Sequence, residues 1–285
     1  MTQAVTSQMA PHIALPSGNA AVKDAGTPLL QATGLTMRFG GLTALDALDI
    51  SVFDGEILGL LGPNGSGKTT FFNVVTGLYA ASAGTVLLDG RDISGNTPQQ
   101  VYRAGVTRTF QRSRLSLTMS VFDNVAIGNY QHFQRGLLSN LFRRAAFERE
   151  YQQTVELVDS LLRTFSSDLA QKMFMPAGTL SMIDRRRVEL CRALISQPRL
   201  LLLDEPSAGM THDETAELMD DIMQVRSRLA AFTIVIIEHE MNVIQRITDR
   251  CVVLNYGKKI AQGTYAAITA DPQVQIAYLG QEDAA

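Results

Sequence analysis

Eight residues, Gly62-Pro63-Asn64-Gly65-Ser66-Gly67-Lys68-Thr69, have the types and spacing that hold a nucleoside triphosphate. The glycines let backbone N–H groups converge on phosphate oxygens, and a following helix turns its partly positive end toward the same anion. Lys68 supplies a cation, and Thr69 can place its hydroxyl on a magnesium ion, as the Gly-x-x-x-x-Gly-Lys-Ser/Thr pattern requires. Thr70, next in the same turn, is counted with the binding residues. The apolar run Ile57 to Leu61 before the loop predicts a strand, and the segment after it predicts a helix.

A second cluster lies farther along. Four leucines from Leu200 end in Asp204-Glu205, and a carboxylate at the end of a buried strand is where a phosphate-loop enzyme needs a magnesium partner. Asp204 is the candidate for that shell. Glu205, the next residue, points differently and can act as general base or position the attacking water. Thr233 to Ile237 likewise leads into Glu238-His239. His239 reaches the same chemistry if its strand neighbours that of Asp204; otherwise it is structural, and the residues alone leave both readings open.

The elements that must position these groups read as alternating helix and strand. Leu29 to Leu61 consists of apolar segments broken by Gly40-Gly41 and Asp54-Gly55, which predicts strands joined by tight turns at a mixed sheet edge. Gly84 to Leu88 predicts a strand, and Val106 to Phe110 is short and β-prone. Thr97-Pro98-Gln99-Gln100 predicts a helix start with a capping box. Strand signals vanish between Ser120 and Met175, so about 118–178 is read as a helical insertion. Its Arg143, Arg144 and Arg149 are interleaved with or followed by Glu148, Glu150 and Glu156, the pattern of a solvated helix face. Leu200 to Leu203 and Thr233 to Ile237 are aliphatic runs of the kind found in buried parallel strands, whose ligands bind beyond the carboxyl ends. Cys251 to Asn255 and Lys258 to Gln262 flank Tyr256-Gly257 as a hairpin, and 266–285 is read as a helical tail.

Composition bounds the remaining classes. The 285 residues are 46% hydrophobic and 19% charged, a globular balance, and no run of 18 or more apolar residues could cross a bilayer. With 25 basic against 28 acidic side chains there is no general attraction to nucleic acid. Cys191 and Cys251 lie far apart without metal-ligand spacing, which fits a reducing cytosol. Residues 1–28 carry no charge before Lys23 and no apolar period, and are expected to be a disordered tail without a secretory signal.

The order of phosphate loop, Gln111, Leu180-Ser181, Asp204-Glu205 and His239 resembles the ATP-binding cassette ATPases, from about Leu29 to the C-terminus. Leu35-Thr36-Met37-Arg38-Phe39-Gly40-Gly41, Thr107-Arg108-Thr109-Phe110-Gln111 and Ala277-Tyr278-Leu279-Gly280 are similar to the cassettes of branched-chain amino acid transporters. The resemblance implies an α/β phosphate-loop core of RecA type over 29–265, with an antiparallel β subdomain and the helical insertion. It implies that Phe39 stacks on adenine, that Gln111 senses magnesium and contacts a membrane subunit, that Glu205 is the catalytic glutamate and that His239 is the switch histidine. Without it, Phe39 reads as a strand-edge aromatic and Gln111 as a loop amide.

The same resemblance implies ATP and Mg2+ as ligands, and a nucleotide sandwiched between two ATPase subunits, the phosphate loop of one facing Ser181 of the other. The expected setting is the cytoplasmic face of the cell membrane, bound peripherally to permease subunits, with a solute-binding protein as indirect partner and no nucleic acid. The energy-coupling subunit of an importer for branched-chain or related amino acids is the leading expectation; a soluble or non-hydrolysing regulatory cassette is the alternative.

One segment departs from the pattern. Where the family has Leu-Ser-Gly-Gly-Gln or a near variant, this chain has Leu180-Ser181-Met182-Ile183-Asp184. A β-branched residue at a glycine position adds bulk, and Asp184 suits a helix N-terminus but repels phosphate. The expectation is a pair of unequal sites in a heterodimer with a second ATPase of fuller signature, with a homodimer as the alternative.

Overall fold

The computed structural model describes residues 26–111, 114–133, 144–228 and 232–279. Most of the tail expected over 1–28, residues 134–143 of the expected helical insertion, with Arg143, and the end of the C-terminal tail lie outside them.

Two sheets share the chain. Strands β1 (Leu30–Phe39) and β2 (Leu42–Val52) form an antiparallel hairpin around Gly40-Gly41, and β4 (Ala83–Leu88) and β5 (Arg91–Asp92) extend it in the order β2-β1-β4-β5. The mixed sheet edge expected here is instead a separate, wholly antiparallel sheet. The reason is that the turn at Asp54-Gly55 hands the chain to the other sheet rather than returning it to the hairpin. There β3 (Ile57–Leu61) lies between β9 (Arg250–Asn255) and β8 (Thr233–Ile237), followed by β7 (Leu200–Asp204) and β6 (Val106–Arg108). These five strands are parallel, and β10 (Lys258–Gly263) closes one edge antiparallel to β9.

Strands β3, β7 and β8 are buried at every position, as continuous aliphatic runs must be when both faces of a parallel sheet are covered. One face meets the antiparallel sheet in a core that includes Leu35, Leu45, Leu58, Leu60, Phe71 and Phe72. Each phenylalanine is fully buried, worth about 1.5–3 kcal/mol relative to exposure. They belong to helix α1 (Lys68–Val75), so the helix after the phosphate loop is pinned by its own second turn. The other face carries most of the remaining helices and a second core around Leu162, Val188, Leu201 and Ile236.

Helix α2 (Pro98–Arg103) starts with the capping box expected at Thr97 and Gln100. Between β6 and β7 run α3 (Val121–Ala126), α4 (Arg144–Phe165), α5 (Ser167–Gln171) and α6 (Met182–Leu194), with no strand among the described residues there. Helices α7 (His212–Arg228) and α8 (Met241–Ile247) follow β7 and β8; α9 (Tyr265–Thr269) and α10 (Pro272–Leu279) end the described chain.

Candidate nucleotide site

The parallel order brings the chemistry-bearing residues to one edge. β3 pairs with β8, β8 with β7 and β7 with β6, so the segments leaving their carboxyl ends stand side by side. The phosphate loop follows β3, Glu205 follows β7, His239 follows β8 and Gln111 follows β6. Asp204 and Ile237 are partners in the ladder. That pairing answers the open question about His239: its strand is the neighbour of Asp204's.

The loop itself is built for an anion. Gly62, Gly65 and Gly67 have positive φ, and no atom lies within 4 Å of where a Cβ would stand on Gly65. Helices α2, α3, α5, α6 and α9 are capped by the side chains of Thr97, Ser120, Ser166, Ser181 and Thr264. Helix α1 has only Gly67 at its cap, no side-chain acceptor and no acidic residue in its first turn, which leaves its leading N–H groups to a ligand. The hydroxyl of Ser66 is buried and without a partner, a cost that a phosphate oxygen relieves. Asn64, Gly65 and Thr69 are exposed, Thr70 is half-buried, and Gly62 and Pro63 are buried.

Lys68 is buried, and its ammonium donates to the carbonyls of Gly62 at 2.6 Å and Pro63 at 2.9 Å. Burial pulls its pKa below the ordinary lysine value, with Glu205 and Asp204 acting in the opposite direction. To meet a phosphate it exchanges these two carbonyls for an anion, which restores a full countercharge.

Glu205 lies between two polar partners. Its Oε2 accepts from Gln111 Nε2 at 2.6 Å, and its Oε1 stands 2.6 Å from His239 Nε2. The backbone of Glu205 has φ +49° and its N–H donates to Ile237 O at 2.9 Å. Such a left-handed backbone is uncommon for a non-glycine residue. The arrangement is that of an oriented carboxylate able to take a proton from water.

Asp204 has a partner that reading the sequence missed. Arg108, in β6, reaches its carboxylate at 2.5 Å, and both side chains are almost wholly buried. Arg108 also donates to Asn73 Oδ1 of α1 at 2.7 Å and lies over the rings of Phe72 and Phe110. A charged residue inside an otherwise β-prone run was the available signal, because a buried cation demands an anion. Arg186 of α6 was missed as well. It donates to the backbone carbonyls of Gln111 at 3.0 Å and Ala208 at 3.1 Å, joining α6 to the segments after β6 and β7. Glu238, buried, accepts from Ser207 N, Ser207 Oγ and His239 N, and so ties the strand ends of β7 and β8 together.

Phe39 ends β1 partly exposed, with its ring edge-on to Tyr79 at 5.4 Å. Ser181 is exposed at the start of α6 and spends its hydroxyl as a cap on Asp184 N at 3.3 Å. The expectation about the next residues needs correction. Capping at Ser181 sets the helix phase so that Ile183 is buried, while Met182 is the exposed apolar side chain at 41%. The bulk at the outer face is therefore Met182. Asp184 is paired with Arg187 at 3.2 Å, and Arg187 also holds Glu217 at 2.5 Å and Asp221 at 2.8 Å. Asp184 is thus paired, but one guanidinium serves three carboxylates and the group keeps a net negative charge.

Comparison with known proteins agrees with this construction. The family described as ABC transporter matches residues 45–208, and the one described as branched-chain amino acid ATP-binding cassette transporter matches residues 258–284. Over 254 residues the chain is 38% identical to the high-affinity branched-chain amino acid transport ATP-binding protein BraF of Pseudomonas aeruginosa. It is 39% identical to LivG of Escherichia coli K12, with 89% of this chain and 98% of each relative covered. Among solved structures, a nucleotide-free ATP-binding cassette from an ABC transporter superposes with a TM-score of 0.76 at 29% identity, covering 88% of this chain and 99% of that one. A cassette in its ADP conformation gives 0.76 at 28% identity, covering 90% and 100%. The chain belongs to the ABC transporter family, as an ATP-binding cassette ATPase with the α/β phosphate-loop fold.

Proposed function

We propose that this chain is the energy-coupling subunit of an importer for branched-chain or related amino acids. It works from the cytoplasmic face of the cell membrane, bound to separate permeases and paired with a second ATPase subunit. The observation that carries this reading is similarity over nearly the whole of LivG and BraF, continued into the C-terminal segment 258–284 that a family of branched-chain amino acid cassettes shares. No helix among the described residues is long and apolar enough to cross a membrane, which suits a subunit that borrows its membrane path from partners.

Within the site, the loop Gly62 to Thr69 holds the ATP phosphates through the amides from Asn64 to Thr69, Ser66 Oγ and Lys68, with Gly62 and Pro63 forming its entry; Thr70 supports the same turn, and Phe39 stacks on the base. Thr69, Gln111 and Asp204 are the residues that would hold Mg2+, which supplies charge neutralisation on the β- and γ-phosphate oxygens. The donor set of one hydroxyl, one amide and one carboxylate is all oxygen-bearing and fits that hard cation. Glu205, oriented by Gln111 and His239, positions the attacking water and accepts its proton. Ser181 serves the nucleotide of the opposing subunit. ATP thus favours a closed pair because its phosphates touch both halves, and hydrolysis removes that differential contact.

Reconstitution into proteoliposomes with the permeases and binding protein tests the reading directly. Leucine uptake is expected to require ATP inside the vesicle and to disappear with Glu205→Gln. Uptake independent of this subunit, or of a solute unrelated to amino acids alone, would defeat the proposal.

A further inference from the structure

The motif Ala277-Tyr278 in α10 has so far no role. Tyr278 is half-buried against the helical-side core. Its hydroxyl oxygen accepts a hydrogen bond from the backbone N–H of Gly62 at 2.9 Å, across 216 residues of sequence. Gly62 is the first residue of the phosphate loop, and the β3–β9 ladder ends one residue before it, at Leu61 and Val253. Its amide thus lies one residue past the last pair of that ladder.

Gly62 occupies a cramped position that only glycine fits. Its φ is +140°, and a Cβ there would stand 2.1 Å from Leu254 O and 2.7 Å from Ser66 Oγ. Its carbonyl is one of the two that Lys68 holds. The two sides of this residue therefore face opposite demands: Lys68 must leave the carbonyl to reach a phosphate, while the amide must stay where it is. A buried amide without an acceptor costs free energy comparable to a lost hydrogen bond. Burial pushes the Tyr278 phenol above its ordinary pKa, with the Gly62 amide acting in the opposite direction, so the group remains a neutral hydroxyl in the physiological range.

We infer that Tyr278 is a positioning residue of the nucleotide site: its hydroxyl holds the entry of the phosphate loop at Gly62 while Lys68 exchanges loop carbonyls for phosphate, so that the C-terminal helix helps set ATP affinity. The hydroxyl touches neither nucleotide nor Glu205. Its loss leaves the loop entry unanchored and the loop amides less preorganised, and it leaves the hydrolytic residues as they are. The signature is a split between KM and kcat.

The test compares full-length Tyr278→Phe with wild type in ATP with Mg2+, by equilibrium binding, steady-state hydrolysis, thermal melting and amide exchange. Tyr265→Phe, the same deletion in the neighbouring helix, is the control. For Tyr278→Phe, the ATP dissociation constant and KM are expected to rise about three- to tenfold, the range of one neutral hydrogen bond. kcat is expected to stay within about twofold, because no catalytic-step interaction is removed. Exchange at the Gly62 amide is expected to accelerate, and Tyr265→Phe to bind ATP as wild type does. An unchanged ATP dissociation constant overturns the inference, whatever the melting temperature does. So does an equal loss in both variants, or a loss that merely follows the folded fraction.

Discussion

Arg108 Nη2 and Asp204 Oδ2 meet at 2.5 Å in an almost fully buried ion pair that joins β6 to the end of β7. The same guanidinium reaches Asn73 on α1, so one side chain spans the strand leading to Gln111, the strand carrying Asp204 and the helix behind the phosphate loop. Removing one member of a buried pair leaves the other charge uncompensated. Arg108→Met is therefore expected to destabilise the protein by about 3–5 kcal/mol, read from urea unfolding. Adding Asp204→Asn to the same chain is expected to recover part of that loss. Additive losses in the double variant would show that the pair is not the origin of the effect.

Glu205 lies 2.6 Å from both His239 Nε2 and Gln111 Nε2. Glu205→Gln keeps the shape but removes the proton acceptor. Its kcat is expected to fall about 10²- to 10⁴-fold, the usual worth of a positioned general base, with ATP binding retained. Loss of binding in parallel with kcat would move Glu205 from the hydrolytic step to the structure of the site.

The segment after Leu180 separates two kinds of effect. Ile183 is buried, so Ile183→Ala is expected to cost about 2–5 kcal/mol as a large-to-small core change, seen as a lower melting temperature with KM for ATP unchanged. Met182 is the outward side chain, and Met182→Gly is expected to raise ATP turnover in the assembled transporter by letting the opposing nucleotide approach the backbone. Equal turnover in that variant would mean that the interface accommodates methionine without loss.

Glu238 gives a pH dependence. Burial raises its pKa above the ordinary 4.5, while its bonds from Ser207 and His239 act the other way. The folded state thus holds this proton more tightly than the unfolded chain does. Its contribution to stability is full below pH 4.5 and is lost as pH rises through the folded value. Glu238→Gln is expected to flatten the stability profile on the alkaline side of pH 4.5, measured by denaturant unfolding at a series of pH values. An unaltered slope would place the titration elsewhere.

What the sequence made legible was chiefly local. The phosphate loop is contiguous, and its glycines, Lys68 and Thr69 announce themselves without a fold. Strand ends such as Asp204-Glu205 were visible as an aliphatic run stopping at carboxylates. The side-by-side placement of β7 and β8, which brings His239 to Glu205, depends on pairing between segments about thirty residues apart, and periodicity carries no information about that. Arg108 was hidden for the same reason, since its anion is supplied 96 residues away. The orientation of Ile183 and Met182 follows from the helix phase that Ser181 sets, a rotation that residue types at a motif position do not report. Tyr278 was noticed as part of a motif, but its acceptor role depends on where α10 lands.

The turn at Tyr256-Gly257 packs under the phosphate loop: Gly257 N donates to Ser66 O at 2.9 Å, and Gly257 O accepts from Asp46 N at 3.0 Å. A Cβ on Gly257 would stand 2.7 Å from Ala44 O. The loop and this brace are separated by almost two hundred residues of sequence. In a growing chain the nucleotide motif is therefore made long before the support that shapes it, and the loop is braced in this form only once Gly257 has been added.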